Sequence, residues 1–249
     1  MNKIKLMTHV VVGYPNVGES YEIVKTLVDG GADYLELQIP FSDPVADGET
    51  IMHALEVALK NGMNTDRAFQ FIDSLKKYHV PKYIMCYYNQ VFRYGVERFI
   101  KKAKDLGVEG LIVPDIPPEE EKNEQFIALC NKYSVDSIRV ISPSSSEERV
   151  RINSKIGKGF LYLVSHFGVT GTKSVFNKSL FEYIERVRKV TDLPLAIGFG
   201  ISKREQIELL YGHAEIAIVG SAIINEYDKR GIKGLKRFIR LLKAGTIKP

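Results

Sequence analysis

Residues 32–51, ADYLELQIPFSDPVADGETI, run from an alternating strand into an acidic loop and on towards a helix. Leu35, Leu37 and Ile39 fall on one face of the strand, and Tyr34, Glu36 and Gln38 on the other. The preceding segment, ESYEIVKTLVDGGA (19–32), has helical periodicity and closes on Gly30 and Gly31, a normal helix stop. Helix, strand, loop and helix in this order make one repeat of an α/β protein, with the apolar face of the strand turned to the helices. Glu36 then faces the other way. A carboxylate held inside a protein is costly unless it is paired, protonated or at a wet opening, so Glu36 is either ion-paired to a neighbouring strand or used in chemistry.

The same unit recurs along the chain. Strands are expected at MTHVVVG (7–13), YLELQIP (34–40), KYIMCYY (82–88), EGLIVPD (109–115), DSIRVI (136–141), FLYLVS (160–165), PLAIGFG (194–200) and EIAIVGS (215–221). Amphipathic segments such as RYGVERFIKKAKDLGV, EQFIALCNKYS and LFEYIERVRKV lie between them. Eight strand–helix units at roughly 30-residue spacing are the arithmetic of a (β/α)8 barrel, a TIM barrel, here one catalytic domain over residues 1–249. A doubly wound open sheet is the rival, but the first turn, VGYPNVG, lacks its glycine fingerprint. Parity places Tyr162 on one face with Phe160 and Val164. In a barrel, Glu36 points inward near the C-terminal end of its strand, the end where barrel enzymes place their chemistry.

Composition narrows the partners. The net charge of +5 is spread along the chain, and its densest stretch, DKRGIKGLKRFIRLLK, has apolar residues at helical spacing. That is the solvated face of a terminal helix, and neither nucleic-acid nor membrane binding is expected. Cys86 and Cys130 show no paired spacing and read as reduced thiols of a cytoplasmic protein. The apolar run near the N-terminus breaks at Gly13-Tyr14-Pro15 and reads as a first strand rather than a leader. The histidines, His9 among them, have no metal-like spacing, and no metal is expected; His53 and His79 are expected at the surface.

Two groups of residues carry chemistry. Glu36 and Asp47 form a carboxylate pair suited to acid–base work, Glu36 partly buried with a raised pKa and Asp47 ionised on a wetter loop. Asp43 and Asp47 are also good turn formers next to Pro44 and Gly48. Glycine-rich ends follow the last three strands, in GVTGT, GFGIS and GSAI. There backbone N–H groups and a helix N-terminus can hold a phosphate, with Gly198, Gly200, Gly220 and Ser221 as candidates.

Taken in order, LELQIPFSDPVADGETI, IMCYYNQVFRYGVERF, GLIVPDIPPEE, YLVSHFGVTGTKS, AIGFGIS and AIVGSAI closely resemble the tryptophan synthase alpha chain family, over nearly the whole sequence. The resemblance implies a lyase of tryptophan biosynthesis that splits indole-3-glycerol phosphate into indole and glyceraldehyde 3-phosphate, a retro-aldol step. It also implies a β chain that receives the indole, an α2β2 tetramer, and pyridoxal phosphate on that partner with no cofactor on this chain. By motif, the catalytic residues are Glu36 and Asp47. Tyr162, Thr170, Gly171, Phe199, Gly200, Gly220 and Ser221 fall on the substrate site, and Pro40, Asp43 and Asn89 on the face towards the β chain. Thr170 is expected to meet Asp47 when its loop closes.

Departures from the family pattern accompany these matches. Gln38 stands where glycine is usual, placed to crowd the pocket or to hydrogen-bond Glu36; His166 and Phe167 alter the lid, and Glu49 replaces a proline in an acidic, mobile loop. The chain also begins almost at its first strand, where the family commonly has a short helix across the barrel floor. Two other functions fit part of the pattern: a phosphosugar isomerase or epimerase, and a non-catalytic activator of the β chain.

Overall fold

The computed structural model describes residues 3–164, 178–198 and 200–248, and Thr170, Gly171, Phe199, His166 and Phe167 lie outside them. Eight strands, β1 (Lys5–Val11), β2 (Tyr34–Gln38), β3 (Lys82–Met85), β4 (Val108–Ile112), β5 (Asp136–Ile141), β6 (Leu161–Val164), β7 (Leu195–Gly198) and β8 (Ile216–Val219), pair in parallel. They close in sequence order, β8 returning to β1, as the barrel arithmetic requires.

Alternation decides which residues go where. Leu35, Leu37 and Ile39 are fully buried in the larger cluster shared with the surrounding helices. The barrel interior holds a second cluster, including Met7, Tyr83, Met85, Ile138, Phe160 and Ile218, with Tyr162 packed against it. Tyr83 meets Tyr34 and Phe160 edge-on, at centroid distances of 5.8 and 5.2 Å, and these rings fill the interior beneath the polar groups of β2. Val164, expected to share Tyr162's face, instead packs against the helix-side cluster.

The helices begin and end where local chemistry says they should. Asn16, Asn64 and Ser146 cap helices by accepting from the amides of Glu19, Arg67 and Arg149, each cap being worth about 1 kcal/mol. Two segments read as single helices are broken by glycine. Gly95, at φ 94°, divides the helix Tyr88–Tyr94 from the helix Val96–Asp105. Gly231, at φ 60°, kinks the terminal helix Ser221–Ala244. Both glycines adopt a left-handed φ that other residues resist, so the interruption lies in the sequence although helical periodicity runs straight through it. His79 is exposed but lies in a loop, whereas His53 is exposed on a helix.

Candidate active site

At the C-terminal ends of β1 and β2 the barrel interior turns polar. Register sets His9 opposite Glu36, and Val11 opposite Gln38. His9 is 6% exposed, Glu36 1% and Gln38 fully buried. His9 Nδ1 lies 3.4 Å from Glu36 Oε2, within ion-pair reach. Among the described residues, His9 Nε2, Glu36 Oε2 and Gln38 Oε1 have no hydrogen-bond partner. Three bare, buried polar atoms in one small region are rare in a folded protein and mark a place prepared for something to bind. Burial would depress the His9 pKa. The nearby Glu36 carboxylate outweighs it, helped by Asp47 and Gln38, and holds the imidazole above its ordinary value. The ion pair to a neighbouring strand is therefore present, but at 3.4 Å it is not a hydrogen bond, and it leaves both Glu36 Oε2, the oxygen facing His9, and the second histidine nitrogen without a hydrogen-bond partner.

The loop after β2 folds down over this region. Asp47 Oδ2 accepts from Gln38 Nε2 at 2.8 Å and from the Tyr87 hydroxyl at 2.7 Å, and the same hydroxyl accepts from the Ala46 amide at 3.0 Å. Asp47 is half-buried as a result. Burial pushes its carboxyl above the usual range; the Tyr87 hydroxyl, His9 and Gln38 oppose that, while Glu36 adds to it. This corrects the expectation of a wet Asp47, whose side chain is half-buried. It also corrects the role of Gln38, which donates to Asp47 rather than to Glu36. Glu49 is the first residue of the helix Glu49–Lys60, where an acid favours the helix dipole.

Tyr162 enters from β6. A Cβ on Gly198 would lie 2.6 Å from its ring and 2.7 Å from its hydroxyl oxygen. Gly198 thus makes room for the ring instead of cradling an anion. Burial, then the Glu36 and Asp47 carboxylates, push the Tyr162 hydroxyl well above its normal pKa, so it remains a protonated donor. Gly220 follows β8 and opens the helix Ser221–Ala244, with His9 Cβ 3.6 Å from where its own Cβ would be. Gly200, at φ 55°, is exposed on the neighbouring loop. The first-turn amides after Gly220 can hold an anion beside the carboxylate region.

Outside the mouth, Asp43 is exposed and accepts from Ser42 Oγ at 2.5 Å, and Asn89 is exposed at the start of its helix. Pro40, expected on the same face, is buried, with its carbonyl accepting from Gln90 Nε2 at 2.9 Å. Val45 and Phe92, which the sequence reading passed over, are apolar and 83% and 60% exposed.

Comparison with known proteins follows the same lines. The family model described as "Tryptophan synthase alpha chain" matches residues 1–244. The chain belongs to the tryptophan synthase alpha chain family. A family member from Syntrophotalea carbinolica is 42% identical over 241 residues, covering 96% of this chain and 94% of its own. One from Methanosarcina barkeri is 48% identical over 225 residues, 90% of this chain and 84% of its own. Tryptophan synthase of Mycobacterium tuberculosis superposes with a TM-score of 0.93 at 33% identity, covering 100% of this chain and 94% of that one. The alpha subunit from Pyrococcus furiosus superposes with a TM-score of 0.87 at 31% identity, covering 98% of this chain and 100% of that one. As an alpha chain the protein is a lyase of tryptophan biosynthesis that pairs with a β chain, and pyridoxal phosphate is carried by that partner.

His9 is the residue that sequence reasoning missed. A scan of histidines for metal spacing passes over it, whereas strand parity places it on Met7's side, facing the barrel interior. That it meets Glu36 follows only from the pairing of β1 with β2.

Proposed function

We propose that Glu36 is the acid–base residue of indole-3-glycerol phosphate cleavage and that Asp47 is its electrostatic partner. The observation that carries this reading is a buried Glu36 with a bare oxygen at the barrel mouth, beside an Asp47 carboxyl held over the same space. The reaction puts a proton on indole C3 and takes one from the hydroxyl on the adjacent glycerol carbon. The carbon–carbon bond then breaks, its electron pair restores the aromatic ring, and the aldehyde departs. Glu36, rigid on β2, serves both transfers, and Asp47 stabilises the positive charge on the ring through the indole N–H. Tyr162 donates beside them. Gly200, Gly220 and Ser221 hold the phosphate at the terminal helix, together with Gly171; Thr170 and Phe199 complete the substrate site by motif.

The partner face, in this reading, is Asp43 and Asn89 with the exposed Val45 and Phe92, and the assembly is an α2β2 tetramer. Pro40 contributes by shaping the loop from beneath. The catalytic domain spans residues 1–249, and the protein works in the cytoplasm. Among the described residues, no helix is long and apolar enough to cross a membrane.

The test is indole release from indole-3-glycerol phosphate, with and without a β chain. Glu36→Gln should reduce release at least about 10²-fold while leaving activation of the β chain intact. Undiminished release in that variant would refute the role of Glu36. A wild-type chain that activates the β chain and releases no indole would favour the non-catalytic activator instead.

A further inference from the structure

We propose that His9 is a positioning residue for Glu36: the two side chains form a buried ion pair that carries one proton in all, and His9 aims and restores the carboxyl that meets the substrate. The inference deepens the assignment of Glu36 and rests on it. Its basis is geometric. The residues are register partners on β1 and β2, both are almost wholly buried, and Nδ1 sits 3.4 Å from Oε2. A buried carboxylate is costly alone, and so is a buried imidazolium; pairing them relieves both.

Among the described residues, Glu36 is the carboxyl group within ion-pair reach of the imidazole. Asp47 acts on it from farther away, its Oδ2 engaged by Gln38 and Tyr87. On its other flank His9 lines a cavity with Tyr14, Tyr227, Ile223 and Ile224. Those two hydroxyls donate to Asp228 and Glu19, at 2.9 and 2.8 Å, so both are already engaged. Gly220, on the β8 side, brings no ionisable group. The raised His9 pKa agrees with this arrangement.

The proton count closes. The pair starts with one proton, and Glu36 passes it to indole C3. As the bond from C3 to the glycerol carbon breaks, Glu36 accepts the hydroxyl proton and the pair again holds one. Activity therefore needs the singly protonated pair, and it falls at high pH when that proton is lost and at low pH when a second is gained.

Two measurements test this on the full chain. In the first, the imidazole of His9 is titrated by nitrogen-15 NMR in the wild type and in Glu36→Gln. The His9 pKa should drop by about one unit or more in the variant, because burial then acts without the carboxylate. An unchanged pKa would overturn the proposal. In the second, indole release with the β chain bound is followed against pH for His9→Phe and His9→Asn. His9→Phe should lower kcat about tenfold with little change in KM, and should erase the alkaline limb. His9→Asn, which keeps a donor towards Glu36, should recover part of kcat without the limb. Superimposable pH profiles of wild type and His9→Phe would also overturn it. If the wild type released no indole, the assignment of Glu36 would fail, while the titration would still decide whether the two side chains form the ion pair.

Discussion

Asp47 illustrates how one residue balances stability against chemistry. Its folded pKa is raised above the ordinary value, mainly by burial, so the folded state prefers the protonated form. The stability this contributes is complete below the unfolded pKa and is lost as pH rises through the folded one. Above the folded pKa the ionised side chain therefore weakens the fold. Asp47→Asn should be more stable than wild type at neutral pH, the difference growing as pH rises through the folded pKa and then levelling. Urea unfolding of both proteins from about pH 4 to pH 8 checks this. The same variant should lose at least about tenfold in indole release, because a neutral amide stabilises a cationic ring poorly. Gln38 fits the same picture, for its amide ties strand to loop while its carbonyl oxygen stays bare.

Among the elements, β6 and β7 meet through one close approach. The Tyr162 ring occupies the space where a side chain on Gly198 would stand. Gly198→Ala should displace the ring, lower stability by about 1–3 kcal/mol and raise KM, as measured by thermal unfolding and steady-state indole release. Glycines that break helices were readable as residue types, but the long amphipathic periodicity around Gly95 and Gly231 concealed their effect. The strand cores were legible: β5 matches its expected range, β1 keeps its expected length but lies two residues earlier, and the other six stop one to three residues before their expected ends. Those ends leave the ladder as the chain turns at the barrel rim: after β3, Cys86 still donates to the Ile112 carbonyl at 3.1 Å, and Tyr87 already caps the helix Tyr88–Tyr94.

At the scale of the whole molecule, two exposed apolar side chains, Val45 and Phe92, lie on segments that adjoin the site. Val45 lies in the loop that delivers Asp47, and Phe92 in the helix that follows Tyr87. If the β chain covers these side chains, as proposed, it bears on the loop that holds Asp47, and binding and catalysis would then be coupled through one segment. Phe92→Glu should raise the β chain concentration needed for half-maximal stimulation by about tenfold or more, as read by titrating β chain into the indole-release assay. An unchanged titration would place the partner elsewhere.

The sequence by itself determined what periodicity and residue chemistry can determine. Alternation in YLELQ separated the helix side from the interior and turned Glu36 inward, and repetition of the strand–helix unit specified a barrel. The motif order carried the family. Only the tertiary structure decided who meets Glu36 and Asp47. His9 reaches Glu36 across two strands, Tyr87 reaches Asp47 from the end of β3, and Tyr162 fits because Gly198 stands beside it. These partners are brought together by barrel closure and strand register, which local periodicity does not encode. The pKa shifts of His9 and Asp47 follow from the burial and neighbours that closure creates.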